Sequence, residues 1–136
     1  MSASNVAGSA FKSAIVNLHS FMDDAAYCRG LELFNKGEFF DAHEVLEDVW
    51  RAAPAGEKKF LQGLIQVAVG LHHHSRGNLA GARSLLARAN RNLSTYPARH
   101  GGIELGELRV QVEKWAGALE EGNAIPALPR IEADRG

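Results

Sequence analysis

The sequence predicts an all-α protein, a single-domain bundle of four to five mostly antiparallel helices with short connections. Apolar residues recur at intervals of three and four along several stretches, which is the periodicity of helices, and no stretch shows the alternation of a β-strand. Glycine, proline or a capping side chain separates these stretches, so only a few residues join successive helices. The 136 residues, 46% of them apolar, are enough for one hydrophobic core.

Capping residues predict where the helices begin and end. Asp23 or Asp24 is a suitable N-cap for a first helix through Lys36, and Gly37 is a suitable terminator. Asn78 is placed to cap the fourth helix. We expect the remaining helices over residues 38–53, 57–76 and 79–95 and from about 105 to 122.

The periodicity divides the chain into an N-terminal extension over residues 1–22, a helical bundle over residues 23–122 and an extended C-terminal tail over residues 123–136. Apolar residues at helical spacing in the extension favour an additional helix. Pro126 and Pro129 favour an extended tail, which we expect to pack through Ile125 and Leu128.

Composition argues against several classes of protein. The 15 Lys and Arg residues nearly balance 16 Asp and Glu residues, a formal charge of -1, which is unlike a protein that coats nucleic acid or an anionic membrane. Cys28 is the only cysteine, so an intrachain disulfide is excluded. The N-terminus lacks the features of a signal peptide, and no apolar run approaches the ~20 residues that span a bilayer. We therefore expect a cytoplasmic protein that has no membrane partner.

The charges are unevenly distributed. Residues 38–48 contain five acids and no base, whereas no acid lies between Lys58 and Ile103. We therefore expect the acidic helix to neighbour basic ones. The arginines of the helix after Asn78 spread widely around its axis without interleaved aromatic residues, which favours a solvated face or ion pairs over nucleic-acid binding.

The stretch from Phe34 to Trp50 places a histidine and carboxylates on a helix whose inward positions are aromatic and aliphatic. His43 and Glu47 lie four residues apart, so they face the same way and can share a proton or a divalent ion. The HEVLE segment is similar to an HExxH zinc helix, but Glu47 replaces its second histidine, so other elements would have to supply further ligands. Phe39 and Trp50 are expected to form the wall of this site.

The helix predicted over residues 57–76 is apolar around most of its circumference, so it belongs at the centre of the bundle. Its polar residues Gln62, Gln66 and His73 lie within about 40° of one another on a helical wheel. Consecutive helical residues diverge by about 100°, so His72, His73 and His74 cannot chelate one ion together. We expect His72 on the apolar side and His74 outward.

Two hypotheses account for the polar seam, which we define as His43, Glu47, Gln62, Gln66 and His73. In the first, the seam binds a small ligand or a divalent metal; mixed nitrogen and oxygen ligation would suit zinc, manganese or iron. Glu44 is then the nearest carboxylate that could act as a catalytic base, although the helical wheel places it on the outward side of the helix. In the second, the seam is a buried hydrogen-bond network that fixes helix register, and function lies in self-association or in a protein partner. The sequence leaves both open.

The chain contains the segments LFNKGEFFDAHEVLEDVW, QGLIQVAVGLHHHSRGN and GARSLLARA. Together, from about Leu31 to Leu93, they resemble the DUF309 family, small bacterial and archaeal helical proteins of unknown function. The resemblance implies a compact helical fold with a polar constellation between the second and third helices of the matched region. Some members carry the label of a metal-dependent hydrolase, but the resemblance implies no established activity. The motif residues of the family map onto Phe34, Asn35, Phe39, Ala42, His43, Glu44, Glu47, Trp50, Gln62, Gly63, Gln66, His73, Gly77, Asn78, Gly81 and Ala82.

Overall fold

Five α-helices follow one another in the computed structural model, which describes residues 21–136. They are α1 Ala25–Asn35, α2 Phe39–Ala52, α3 Lys58–Ser75, α4 Leu79–Leu93 and α5 Leu105–Glu121. Short 3-10 turns, Phe21–Asp23 and Ala55–Glu57, precede α1 and α3. The predicted all-α fold is confirmed. The first twenty residues of the predicted N-terminal extension lie outside the described residues.

The helix ends follow the capping chemistry of the sequence. The Asp24 carboxylate accepts a hydrogen bond from the backbone N–H of Ala26 at 2.8 Å, and the Asn78 side chain accepts one from Gly81 at 2.9 Å. Gly122 follows α5 in the left-handed conformation, with φ of 70°, that glycine adopts without strain. These local interactions explain why the predicted helix bounds agree closely with the observed ones.

A small antiparallel hairpin, β1 Arg99–His100 and β2 Ile103–Glu104, connects α4 to α5. The sequence predicts a loop here, because strands of two residues are too short to show an alternating pattern. No helix among residues 21–136 combines the length and apolarity that crossing a membrane requires.

The central helix α3 packs against both α2 and α4. A Cβ atom at Gly63 would lie 2.6 Å from Cδ2 of Leu93, and one at Gly70 would lie 3.1 Å from Cδ2 of Leu86. Residue numbers therefore rise along α3 as they fall along α4, so the two helices are antiparallel. Because both leucines are fully buried, the two glycines allow a close approach that a larger side chain would prevent.

The C-terminal tail is held against α1 and α5 by side-chain amides. The Asn35 amide donates to the carbonyl oxygen of Ile131 and accepts from its N–H, both at 2.8 Å. The Gln111 amide does the same with Arg130, at 3.0 and 2.8 Å. The indole N–H of Trp115 donates to a third residue of the tail, the carbonyl oxygen of Ala127, 2.8 Å away. Each amide thus satisfies both hydrogen-bonding groups of one tail residue.

One buried side chain anchors the tail to the core. Ile131 is 1% exposed, whereas Ile125 and Leu128 are 38% and 55% exposed, so the expectation that the tail packs through those two residues is wrong. The tail is also held near its C-terminal end, where the Glu104 carboxylate accepts a hydrogen bond from the backbone N–H of Arg135 at 2.8 Å. That hydrogen bond, with the Arg99 guanidinium, lowers the pKa of Glu104.

We expect the Asn35→Ala substitution to lower the free energy of unfolding by about 1–3 kcal/mol, because it leaves both backbone groups of Ile131 without their partner. Urea denaturation followed by circular dichroism measures the change. Asn123→Ala is the control: Asn123 is exposed and its amide bonds only to Glu121, so we expect a change within about 0.5 kcal/mol. Equal effects of the two substitutions would show that the tail is not held by Asn35.

Candidate functional site

A pocket of about 290 Å³ opens between α2 and α3. It is lined by Glu47, Trp50 and Arg51 of α2 and by Gln62, Ile65 and Gln66 of α3. The two helices follow one another across a short turn, so the last turns of α2 lie beside the first half of α3. Three of the five seam residues and the predicted wall residue Trp50 are therefore brought together in this α2–α3 pocket.

Glu47 offers a carboxylate that is not engaged in a hydrogen bond. Its side chain is 43% exposed, and its nearest charged partners are Nε2 of His43 at 3.8 Å and Nη2 of Arg51 at 3.9 Å. Both distances are too long for hydrogen bonds. Arg51 instead donates to Asp48 at 2.5 Å. The Glu47 oxygens are thus open to solvent or to a ligand.

The two glutamines of the pocket have different environments. Gln66 is 8% exposed, and its Oε1 accepts a hydrogen bond at 2.8 Å from the Asn92 side chain of α4. Gln62 is exposed, and its amide has no hydrogen-bond partner among residues 21–136. Gln66 therefore links two helices, as the structural hypothesis requires, whereas Gln62 is available for binding.

Trp50 forms part of the pocket wall and carries a second unused group. Its indole N–H is buried and has no hydrogen-bond partner within the described part of the chain. The ammonium group of Lys58 lies 4.4 Å from the ring centroid and donates to the carbonyl oxygen of Trp50 at 2.6 Å. A buried donor without an acceptor costs free energy.

His43 lies next to the pocket but does not line it. Its Nδ1 is 2.7 Å from the carbonyl oxygen of Phe40, and its ring packs edge-on against the Phe40 ring at 4.9 Å. Because a carbonyl can only accept, Nδ1 carries the ring proton. The other ring nitrogen, Nε2, lies on the side of Glu47. His43 and Glu47 are thus neighbours, as their spacing predicts.

His73 does not join the other seam residues. Its Nδ1 lies 3.3 Å from the Asn78 side chain at the start of α4. Seven residues separate it from Gln66, which is about 10 Å along a helix axis, so a shared direction on the wheel does not bring the two together.

His72 contacts the Phe40 ring at 5.3 Å. His74, expected to face outward, instead packs against the buried Trp115 ring at 4.9 Å, so that prediction is wrong.

The remaining predicted site residues also lie outside the pocket. Glu44 is exposed, and Phe39 is buried in the core with its ring 5.2 Å from that of Phe34. Among residues 21–136, no arginine of α4 forms an ion pair with the acidic helix α2. Arg83 instead lies 3.8 Å from Glu120 of α5.

A second polar cluster, which sequence reasoning missed, fixes the hairpin to the start of α3. Nε2 of His100 lies 2.7 Å from the Glu57 carboxylate, and the His100 ring packs against those of Phe60 and Tyr96. Nearby, the Tyr27 hydroxyl donates to the backbone of the hairpin turn at 2.5 Å. Burial, followed by the neighbouring thiol and the Glu57 carboxylate, raises the pKa of Tyr27. Forty-three positions separate His100 from Glu57, so no motif could indicate the pair.

The metal prediction stays a prediction. Among residues 21–136, no three His, Cys, Asp or Glu side chains are grouped so that they could hold a metal ion. His43 and Glu47 supply two ligands, whereas catalytic zinc sites use three protein ligands and a water. The residues therefore do not fit a hydrolytic centre of that kind, and no hydrolytic step follows from this geometry.

The pocket lies within a segment shared with other proteins. The family described as "Domain of unknown function (DUF309)" matches residues 27–85. This segment belongs to the DUF309 family. The resemblance predicted from the sequence is therefore confirmed. The DUF309 segment contains all of α2 and α3, and with them every residue that lines the pocket.

Two curated proteins are similar to this chain. An uncharacterized protein of Aquifex aeolicus (strain VF5) is 37% identical over 91 residues, which cover 66% of this chain and 27% of the relative. The uncharacterized protein YpuF of Bacillus subtilis (strain 168) is 41% identical over 68 residues, which cover 49% of this chain and 37% of the relative. The matches thus span 27% and 37% of these relatives, and neither name assigns an activity.

Replacing each glutamine of α3 with leucine separates their roles. We expect Gln66→Leu to lower the free energy of unfolding by about 0.5–1.5 kcal/mol, because it removes the hydrogen bond to Asn92. Gln62→Leu is the matched control on the same helix and should change stability by no more than about 0.5 kcal/mol, because the Gln62 amide is exposed and unpaired. Urea denaturation measures both variants. A larger loss for Gln62→Leu would contradict this assignment.

Proposed function

We propose that the DUF309 segment binds a small polar ligand in the α2–α3 pocket. The observation that carries this proposal is the presence of unpaired polar groups beside an apolar wall: the Glu47 carboxylate and the Gln62 amide lie next to Trp50 and Ile65. Ligand sites typically combine a few convergent polar groups with an apolar lining in this way.

The charges of the pocket indicate which ligands it would favour. Arg51 also lines the pocket, and its Nη1 donates to Asp48, whereas the Glu47 carboxylate accepts no hydrogen bond within residues 21–136. A ligand with an N–H group or a positive charge would meet this carboxylate, and an anion would be repelled by it. Gln62 supplies both a donor and an acceptor. We therefore expect neutral amides and cationic amines to bind better than carboxylates.

The structural hypothesis accounts for another part of the seam. The Gln66 hydrogen bond to Asn92 and the His43 hydrogen bond to Phe40 form without a ligand. Neither hydrogen bond involves Glu47 or Gln62. The seam would thus combine Gln66, which holds α3 in register with α4, with residues that face a ligand, so the two hypotheses apply to different residues.

Fragment binding followed by nuclear magnetic resonance tests this proposal. We expect N-methylacetamide and isobutylamine to shift the indole N–H signal of Trp50 and the side-chain signal of Gln62, and isobutyrate to shift them less. The indole signal of Trp115, which is bonded to the tail, is the internal control. Gln62→Leu should weaken N-methylacetamide binding by about fivefold, since one hydrogen bond is lost. If none of the three fragments shifts the Trp50 signal, the proposal is refuted.

A second candidate function is the binding of a divalent metal such as zinc, manganese or iron by His43 and Glu47. One observation favours it: the Phe40 carbonyl holds the proton of His43 on Nδ1, as second-shell carbonyls do for metal-binding histidines. Elemental analysis and zinc titration of untagged protein test this candidate. We expect His43→Ala to abolish uptake and His74→Ala, which is remote from Glu47, to preserve it. Absence of bound metal and of uptake on titration would contradict the candidate.

A further inference from the structure

Two side chains of opposite charge line the α2–α3 pocket. Glu47 and Arg51 lie four residues apart on α2, so they face the same way and stand side by side in the pocket wall. Nη2 of Arg51 lies 3.9 Å from Oε1 of Glu47, which is too long for a hydrogen bond. The carboxylate and the guanidinium are therefore close neighbours that do not satisfy each other.

Both charged groups can still bind a ligand. Glu47 accepts no hydrogen bond within residues 21–136, and its other neighbour, Nε2 of His43, is 3.8 Å away. Arg51 donates through Nη1 to Asp48 at 2.5 Å, and its guanidinium forms no other hydrogen bond in the described part of the chain. A guanidinium has five N–H donors, so the Nη2 side of Arg51 keeps donors for a ligand.

An apolar wall lies beside this charged pair. Trp50 and Ile65 both line the pocket. The ammonium group of Lys58 lies 4.4 Å from the centroid of the Trp50 ring and donates to the Trp50 carbonyl oxygen at 2.6 Å. Lys58 does not line the pocket, so the indole surface that faces the pocket remains open to an apolar group of a ligand.

The size and the charges of the pocket restrict the ligand further. Its volume of about 290 Å³ is at the small end of ligand sites, which range from about 300 to 1,000 Å³. A ligand with a single charge would leave either Glu47 or Arg51 unpaired, whereas a ligand with both charges would meet both side chains. An α-amino acid carries an ammonium group, a carboxylate and a side chain on one carbon atom.

We propose that the pocket binds a free α-amino acid with an apolar side chain. The ammonium group of the ligand donates to the Glu47 carboxylate, and the carboxylate of the ligand accepts from the Arg51 guanidinium. The side chain of the ligand packs against Trp50 and Ile65. This inference rests on the proposed binding function of the pocket and specifies the class of ligand.

Titration of the full chain with L-valine at pH 7, followed by nuclear magnetic resonance, tests the inference. Isobutylamine is the same molecule without the carboxylate, and isovalerate is the same molecule without the amine. We expect L-valine to shift the Trp50 and Gln62 side-chain signals and to bind about tenfold more tightly than isobutylamine, because it adds a charge-assisted hydrogen bond to Arg51. Isovalerate should bind most weakly, because Glu47 repels it.

Three variants locate the contacts. Arg51→Gln should weaken L-valine binding by about tenfold and leave isobutylamine binding within about twofold, because only L-valine has a carboxylate. Glu47→Gln should weaken both ligands, because both have an ammonium group. Arg91→Gln is the matched control: Arg91 is exposed on α4 outside the pocket, and it forms no ion pair within residues 21–136. It should change neither affinity by more than about twofold, because salt screens charges that do not contact the ligand. Circular dichroism establishes that each variant is folded.

The outcomes separate this inference from the function on which it rests. If isobutylamine shifts the Trp50 signal and L-valine binds no more tightly than isobutylamine, the amino-acid inference is overturned and the small-ligand function stands. If L-valine, isobutylamine and N-methylacetamide all leave the signal unchanged, both are overturned. Equal binding of L-valine and isovalerate, or equal effects of Arg51→Gln and Arg91→Gln on L-valine binding, would also overturn the inference.

Discussion

The close packing of α3 against α4 determines how the rest of the bundle is arranged. Gly63 and Gly70 leave no room for a side chain beneath Leu93 and Leu86, so the rotation of α3 about its own axis is constrained. In this orientation of α3, Gln66 accepts a hydrogen bond from α4, while Ile65 and Gln62 line the pocket between α3 and α2. The pocket between α2 and α3 is thus a consequence of packing on the opposite side of the central helix.

Buried polar groups usually have partners, and the exceptions in this protein are informative. The hydrogen bond between Gln66 and Asn92 joins α3 to α4, whereas the hydrogen bond between His43 and the Phe40 carbonyl lies within α2. The Trp50 N–H is buried and has no partner within residues 21–136, and the exposed Gln62 amide makes no hydrogen bond there either. That contrast distinguishes Gln66, which holds two helices together, from Gln62, whose amide remains available to a ligand.

The DUF309 segment and the C-terminal tail are structurally coupled. Asn35 lies in the family segment, yet its amide binds Ile131, which is 96 positions away and outside that segment. The tail also contacts Gln111 and Trp115 of α5. The helices of the family segment are therefore stabilised by parts of the chain beyond it, and binding of backbone by side-chain amides recurs in this architecture.

The sequence by itself determined what depends on neighbouring residues. Caps at Asp24 and Asn78 predicted helix ends, and the four-residue spacing of His43 and Glu47 predicted their proximity, because each involves residues within one helical turn. Helical periodicity also predicted α3 as the central helix, because apolar residues surround most of its axis.

Only the tertiary structure decided which distant residues meet. A helical wheel gives the direction of a side chain around the helix axis but not its position along that axis. The wheel therefore grouped His73 with Gln62, although the two residues lie near opposite ends of α3. The pairing of His100 with Glu57 and the binding of the tail by Asn35 join residues 43 and 96 positions apart. Those contacts depend on how whole helices pack, and no local pattern in the sequence encodes that packing.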